Sequence, residues 1–236
     1  MRKVLRQFLI LVTLGVVATA VVATTATAKA NGNSGQQLDV LAKKIAHLEA
    51  KGETAKTGAL TALADCGYGD ASQVFLPFGD AALYALAPQG DLSSTSEWSL
   101  TDVGVSAATD PFTSEAGSLT FSARDSEAVT PVMCVNLDNP TMRFFLSHHG
   151  GNGTSQLEIS VLYEAVNGKT RSLTLADLSG GSDWQPSPVI PIGVDALSAV
   201  SASGWTPVAF DFSVNGLQPG ESYSLDGIYV DPCWSR

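Results

Sequence analysis

The 236-residue chain is short of positive charge: 13 Lys and Arg stand against 23 Asp and Glu, for a formal net charge of −10 at pH 7. The shortage deepens along the chain, with four basic residues before position 31 and five from Thr61 onward, where 20 acidic residues lie. Phosphate backbones and anionic lipid surfaces are held mainly by Lys and Arg, so this long region excludes nucleic acid and membrane surface as partners. The acids stand singly and first solvate a surface rich in Ser, Thr and Gly. Divalent cations and neutral polymers remain compatible with that field.

Long apolar runs are scarce too. The single one follows Arg2, Lys3 and Arg6 and is most apolar from Phe8 to Ala23, with A-x-A patterns at Ala26/Ala28 and Ala28/Ala30. A basic start, an apolar stretch and small residues at a cleavage point describe a secretory signal over 1–30. The alternative is an uncleaved anchor, since the run approaches the ~20 residues that span a bilayer. Either way the remainder is expected to be secreted or extracytoplasmic, and membrane contact is expected only through this end. Residues 31–60 read as a polar linker and one short amphipathic helix, with Leu38, Leu41, Ile45 and Leu48 on one face. Residues 61–236 form the main domain.

Cysteine is limited to Cys66, Cys134 and Cys233. Export permits a disulfide, and an odd count permits at most one intrachain bridge with a thiol left over. Three pairings are open. Cys66 with Cys134 is preferred because they flank the first half of the domain, while Cys134 with Cys233 would tie down the last strand. No two cysteines are close and no histidine stands at ligand spacing from one, which disfavours a metal–thiolate site.

Enzyme motifs are missing: HExxH, GxSxG, a Walker loop and CxxC do not occur. Glycoside hydrolysis needs two carboxylates roughly 5–9.5 Å apart across a cleft, and neither Asp80 with Asp226 nor Glu158 with Glu164 is placed there by sequence. A non-catalytic protein is the expectation, with a glycan-acting hydrolase as the minor alternative.

What is present is alternation. In QLEISVLYE, Leu157, Ile159, Val161 and Tyr163 fall on one side of an extended strand; in TPVAFDFSV, Val208, Phe210, Phe212 and Val214 do the same. Further strands are expected at 82–87, 98–107 with an internal turn, 118–123, 131–136, 142–148, 171–176, 187–193 and 222–230. The intervals PQGD, HHGGNG, VNGK, SGGSD and LQPGE carry turn chemistry. Many short strands of this kind predict an all-β, two-sheet antiparallel sandwich. The ordered final strand SYSLDGIYVDPCWSR is natural if it pairs on both sides, and Pro232, unable to donate a ladder bond, marks where pairing stops.

The stretches SQVFLPFGDAALYALAPQGDLSSTSEWSL, SPVIPIG and SYSLDGIYVDP resemble the β-jelly-roll of galactose-binding-like and carbohydrate-binding modules. More narrowly, they resemble a group of secreted actinobacterial proteins built around one such domain. The likeness covers most of Cys66 to Pro232. It implies a structural calcium shared between an early loop and the last strand, which here would use Asp91, beside Gly90, and Asp226. Two departures stand out: Ser93 replaces a usual Glu, and Asp226-Gly227 lacks a second acid. The plain alternative for Asp80, Asp91 and Asp226 is turn and surface acids.

A sugar site needs flat rings over CH faces and polar groups for the hydroxyls. Trp98 begins an alternating strand and reads as core. Trp184 lies in the loop GGSDWQPSP beside Asp183 and Gln185, where packing does not obviously demand an aromatic. In MRFFLSHHGGNG, alternation places Arg143, Phe145 and Ser147 on one face and Met142, Phe144 and Leu146 on the other. Arg143 and Phe145 are therefore a second candidate platform, or Arg143 is a buried partner of an acid. His148 and His149 are adjacent and do not point together as ligands. Asn152-Gly153-Thr154 is a formal glycosylation sequon. The functional expectation is a carbohydrate-binding-like module of glycan partners; a structural or protein-interaction domain of the cell envelope is the alternative.

Overall fold

A computed structural model describes residues 67–231, apart from 114–115, 137–139, 152–153, 195–197, 199 and 201–203. The signal segment, the Leu38 to Leu48 helix, Cys66, Asn152, Cys233 and Trp234 lie outside the described residues.

Thirteen strands are described in chain order: β1 (Ala85–Leu86), β2 (Ser99–Thr101), β3 (Val103–Ser106), β4 (Ser118–Phe121), β5 (Glu127–Val129), β6 (Met133–Val135), β7 (Thr141–His149), β8 (Gln156–Glu164), β9 (Thr170–Leu178), β10 (Gln185–Pro186), β11 (Ile190–Pro191), β12 (Thr206–Asn215) and β13 (Ser222–Asp231). They form two antiparallel sheets. One has seven strands along the order β10-β7-β13-β4-β3, with β1 on β13 and β11 on β7; the other has six along β2-β5-β12-β8-β9, with β6 on β12.

The sheets share a plan. In each, a ten-residue central strand has one long neighbour and two short ones in series on its other edge: β7 against β4 and β1 for β13, β8 against β5 and β6 for β12. The last strand is therefore paired on both sides, and it ends at Asp231, directly before Pro232. The expected strand at 98–107 is broken as anticipated: Asp102 takes φ 51 and divides β2 from β3, a left-handed conformation that Asp tolerates better than most residues.

Between the sheets lies the apolar layer that the alternation dictates. Val208, Phe210, Phe212 and Val214 from β12 and Leu157, Ile159 and Val161 from β8 meet Met142, Phe144 and Leu146 from β7 and Leu225, Ile228 and Val230 from β13. Phe144 and Phe212 touch edge-to-face across it, ring centres 5.4 Å apart. Trp98 is buried in this core and donates its indole N–H to the Gln89 carbonyl. At one end Ser155, His148 and Tyr223 form a buried polar knot, His148 stacked on Tyr223 at 4.3 Å and the Tyr223 hydroxyl donating to the Ser155 carbonyl at 2.7 Å.

Among the described residues no disulfide joins two cysteines, because Cys134, buried on β6, is the one cysteine there. Cys134 is itself disulfide-bonded, and its two candidate partners, Cys66 and Cys233, lie outside the described residues. Tyr68 reaches the same strand differently, its hydroxyl donating to the Cys134 carbonyl; burial pushes that phenol's pKa upward.

Candidate functional site

The outer face of the seven-stranded sheet departs from simple alternation at one point. Between Asp226 and Tyr229 the β13–β7 register slips, and the extra residue brings Tyr229 onto the outward face that Asp226 holds by alternation, while Leu225, Ile228 and Val230 stay in the core. Glycine is needed there: Gly227 has φ 55, and a Cβ on it would lie 2.9 Å from Cε2 of Tyr229. On the neighbouring strand Arg143 and Phe145 share this outward face. The face thus carries an acid, a base and two aromatics where a water-facing strand would carry small polar groups.

Residues 72–87 cover it. Ser72 and Tyr84 exchange backbone hydrogen bonds of 2.9 Å, closing a loop that contains the 3-10 turn Leu76–Phe78. Proline within the turn sets its φ, and Gly79 at φ 84 ends it. Phe75, just before the turn, is fully buried and lies 5.1 Å from Tyr84, 5.2 Å from Phe145 and 5.6 Å from Tyr229 between ring centres.

Arg143 fastens this cover. Its guanidinium lies 4.3 Å from the centre of the Phe75 ring, donates from Nη1 to Asp80 Oδ2 at 2.9 Å, and donates from Nε and Nη2 to the Ser187 carbonyl at 3.0 and 2.6 Å. Asp80 also accepts from the Ala82 amide and the Tyr84 hydroxyl. Burial alone would raise the Asp80 pKa; the bonds from Ala82, Tyr84 and Arg143 outweigh it and leave the carboxyl below its ordinary value. Tyr84 is pushed up to about 12, by burial first and then by Asp80. Of the two sequence readings of Arg143, the structure takes the buried partner of an acid.

A second loop reaches the same face. The Asp110 amide donates to Asp226 Oδ2 at 2.8 Å, and the Asp110 carboxylate accepts from the Phe112 amide (2.6 Å), the Thr113 amide (2.9 Å) and the Thr113 hydroxyl (2.5 Å). Phe112 thereby sits over Phe145 at 5.3 Å and against Phe78 at 4.9 Å, edge-to-face. Burial, reinforced by the neighbouring Asp110 carboxylate, raises the Asp226 pKa to about 7 against the hydrogen bonds from the Asp110 and Gly227 amides.

The result is an aromatic floor, Phe75, Tyr84, Phe145 and Tyr229, with three rings on top that keep contact with water: Phe78 at 37% exposure, Phe112 at 46%, and half-buried Trp184 packed against the floor. Of the residues singled out by sequence, Trp184, Phe145 and Arg143 come together here. Trp184 precedes β10, which pairs with β7 through Gln185–Leu146 and Pro186–Phe145; Asp183 and Gln185 are exposed on either side of it. Phe78, Phe112 and Asp110 were missed. The one available signal was the Asp110-Pro111 step, a turn initiator directly ahead of an aromatic.

The carboxylates of Asp91 and Asp226 bond to different partners. Asp91 accepts from the amide and hydroxyl of Ser93 at 3.2 and 3.0 Å in a local turn, while Asp226 is buried under the Asp110 loop. Among the described residues no group of three or more His, Cys, Asp or Glu gathers as metal ligands. Calcium takes six to eight oxygens, more than the two carboxylates of Asp91 and Asp226 supply by themselves.

No protein-family model matches the chain, and no curated protein matches it. Its fold is similar to several solved structures. The enzymatically active domain of bacteriophage CBA120 tailspike protein 4 aligns at 13% identity and TM-score 0.45, over 61% of this chain but 21% of the tailspike chain. The CBM22-1 xylan-binding domain from Paenibacillus barcinonensis Xyn10C aligns at 14% identity and TM-score 0.40, over 58% of this chain and 86% of that one. A family 16 carbohydrate binding module aligns at 11% and 0.44, over 61% and 97%. These are likenesses of an all-β sandwich; the comparisons do not tie the chain to an actinobacterial group.

Proposed function

We propose that the sandwich is a non-catalytic, exported carbohydrate-binding-like module whose contact surface is the set of rings over Phe145. The observation that carries this reading is the combination of Phe78, Phe112 and Trp184, each with part of its ring in water above a buried aromatic floor. Rings held this way offer flat apolar surface to the CH faces of a sugar, while exposed Asp183 and Gln185 beside Trp184 supply acceptors and donors for hydroxyls. A neutral polymer is also the ligand class least opposed by the acidic surface. The test is a titration of the full chain against a glycan array, with calcium and with chelator. Binding that is lost in Trp184→Ala and Phe112→Ala supports the reading, and no binding under either condition overturns it.

The competing reading is a protein-interaction domain of the cell envelope. Leu76 at 52% and Leu83 at 42% exposure, both in the covering segment, favour it, since aliphatic side chains suit a protein surface better than a sugar ring. Self-association of the full chain that Leu76→Ser abolishes, with no glycan bound, would establish this alternative.

A further inference from the structure

Phe112 is the most exposed ring of the cluster at 46%, and a ring so open to water is poorly held by its own burial. Its backbone is held by polar groups that run from the loop to the centre of the sheet. The amides of Phe112 and Thr113 and the Thr113 hydroxyl all donate to the Asp110 carboxylate, and the Asp110 amide donates to Asp226 on β13. Both acids are almost wholly buried, at 2% and 0% exposure. Hydrogen bonds to a carboxylate are shorter and stronger than neutral ones, so the three that converge on Asp110 stiffen the loop where an ordinary turn would not be held.

The arrangement is costly in itself. Among the described residues, Asp226 Oδ1 is buried with no hydrogen-bond partner, a penalty that a Leu or Val at this position on the strand would avoid. Asp226 faces the loop by alternation with buried Leu225, and the slip that follows at Gly227 brings Tyr229 onto the same face. A buried acid held at such cost calls for a role that an apolar residue could not fill.

We propose that Asp226 and Asp110 are positioning residues that act in series to present the Phe112 ring over Phe145. Asp226 sets the height and direction of the loop by accepting the Asp110 amide; Asp110 then folds the chain around its own carboxylate so that residue 112 points back onto the sheet. Asp226 thus works through a backbone amide. The use of the ring rests on the glycan-binding reading above; its placement does not.

The experiment is NMR on the isotopically labelled full chain, reading the proximity of the Phe112 ring to the Phe145 and Phe78 rings and the exchange of the Phe112 and Thr113 amides. Asp110→Ala is expected to abolish the ring proximity and speed both amides by about tenfold or more. Asp110→Asn, which keeps an acceptor oxygen, is expected to retain both signals. Asp226→Leu should free the loop as Asp110→Ala does, and Asp226→Asn should not. Unchanged ring proximity in Asp110→Ala, or equal loss in Asp110→Asn, overturns the proposal. If Asp110→Ala fails to fold, Thr113→Val is read instead: faster exchange at residue 113 with a weakened ring signal supports the series, and no change overturns it. Calcium and chelator should leave the ring signal as it is; a signal that disappears on chelation, or that calcium restores in Asp110→Ala, would assign the role to an ion and overturn the proposal. A wild-type chain that binds no glycan ends the functional reading, and the ring signal still decides the positioning role.

Discussion

The two faces of the seven-stranded sheet are built by different means. The inner face is plain alternation: Met142, Phe144 and Leu146 on β7 and Leu225, Ile228 and Val230 on β13 bury against β8 and β12. The outer face is assembled from distant pieces: Phe75 and Asp80 from the covering segment, Phe112 from a loop, Arg143 and Phe145 from β7, Asp226 and Tyr229 from the bulged strand. The inner face needs only apolar residues of roughly the right size at every second position. The outer one needs particular partners, because each charge brought under cover must be met by another or by a hydrogen bond.

The comparison can be broken most severely from the inside. Phe210→Ala, which deletes a fully buried ring from the core, is expected to cost about 3–5 kcal/mol, read as the unfolding midpoint in denaturant; a loss below ~1 kcal/mol would mean that this layer is not the main core. Arg143→Ala should come next, at about 3 kcal/mol, since it removes the cation paired with Asp80 and both guanidinium donors to the Ser187 carbonyl. Its signature should be local: proteolysis and amide exchange should rise in residues 72–87 before they rise in β12. Equal opening of both regions would show that cover and sandwich form one cooperative unit.

Acid should sharpen the same contrast. The Asp80 pKa is lowered in the folded protein, so its contribution is present above the ordinary carboxylate value of about 3.9 and is lost as pH falls through the lower folded value. Amide protection in residues 72–87 should therefore decline below about pH 4 while β12 keeps its own, and Asp80→Asn should remove that pH dependence. A cover equally protected at pH 2 and pH 6 would contradict the assignment.

The smaller effects concern single rings and turns. Trp184→Ala should cost about 1–2 kcal/mol, because the ring is only half-buried on its floor, and affinity electrophoresis in soluble glycans should show a larger loss of retardation than that of Phe78→Ala. Asp91→Ala should stay within about 0.5 kcal/mol by thermal melting, as a turn acid whose carboxylate bonds to Ser93 among the described residues; a larger loss that calcium reverses would assign Asp91 as a ligand.

Legibility followed the same division. The long strands could be read because alternation over eight or nine residues leaves one solution for which side faces the core, and β8 and β12 lie where the pattern put them. β5 and β10 could not, since three and two residues are too short to carry a period. At the site, Trp184 was legible as an aromatic in a polar loop, and Arg143 and Phe145 as neighbours on one face. That Phe145 is covered, that the acid of Arg143 is Asp80, and that Phe112 and Phe78 complete the cluster were not, because these pairings join segments far apart in the chain with no local pattern linking them.

The amino-acid order alone thus determined that the region beyond Cys66 is layered, extended backbone, that its surface is acidic, and where most strands run, because periodicity and charge are local properties that each segment carries with it. Only the tertiary structure decided that one outer sheet face would be roofed, which acids would be buried there, and which rings would be left in the water. Those outcomes depend on a one-residue slip at Gly227 and on the meeting of side chains far apart in sequence, and neither is encoded in any short stretch of the chain.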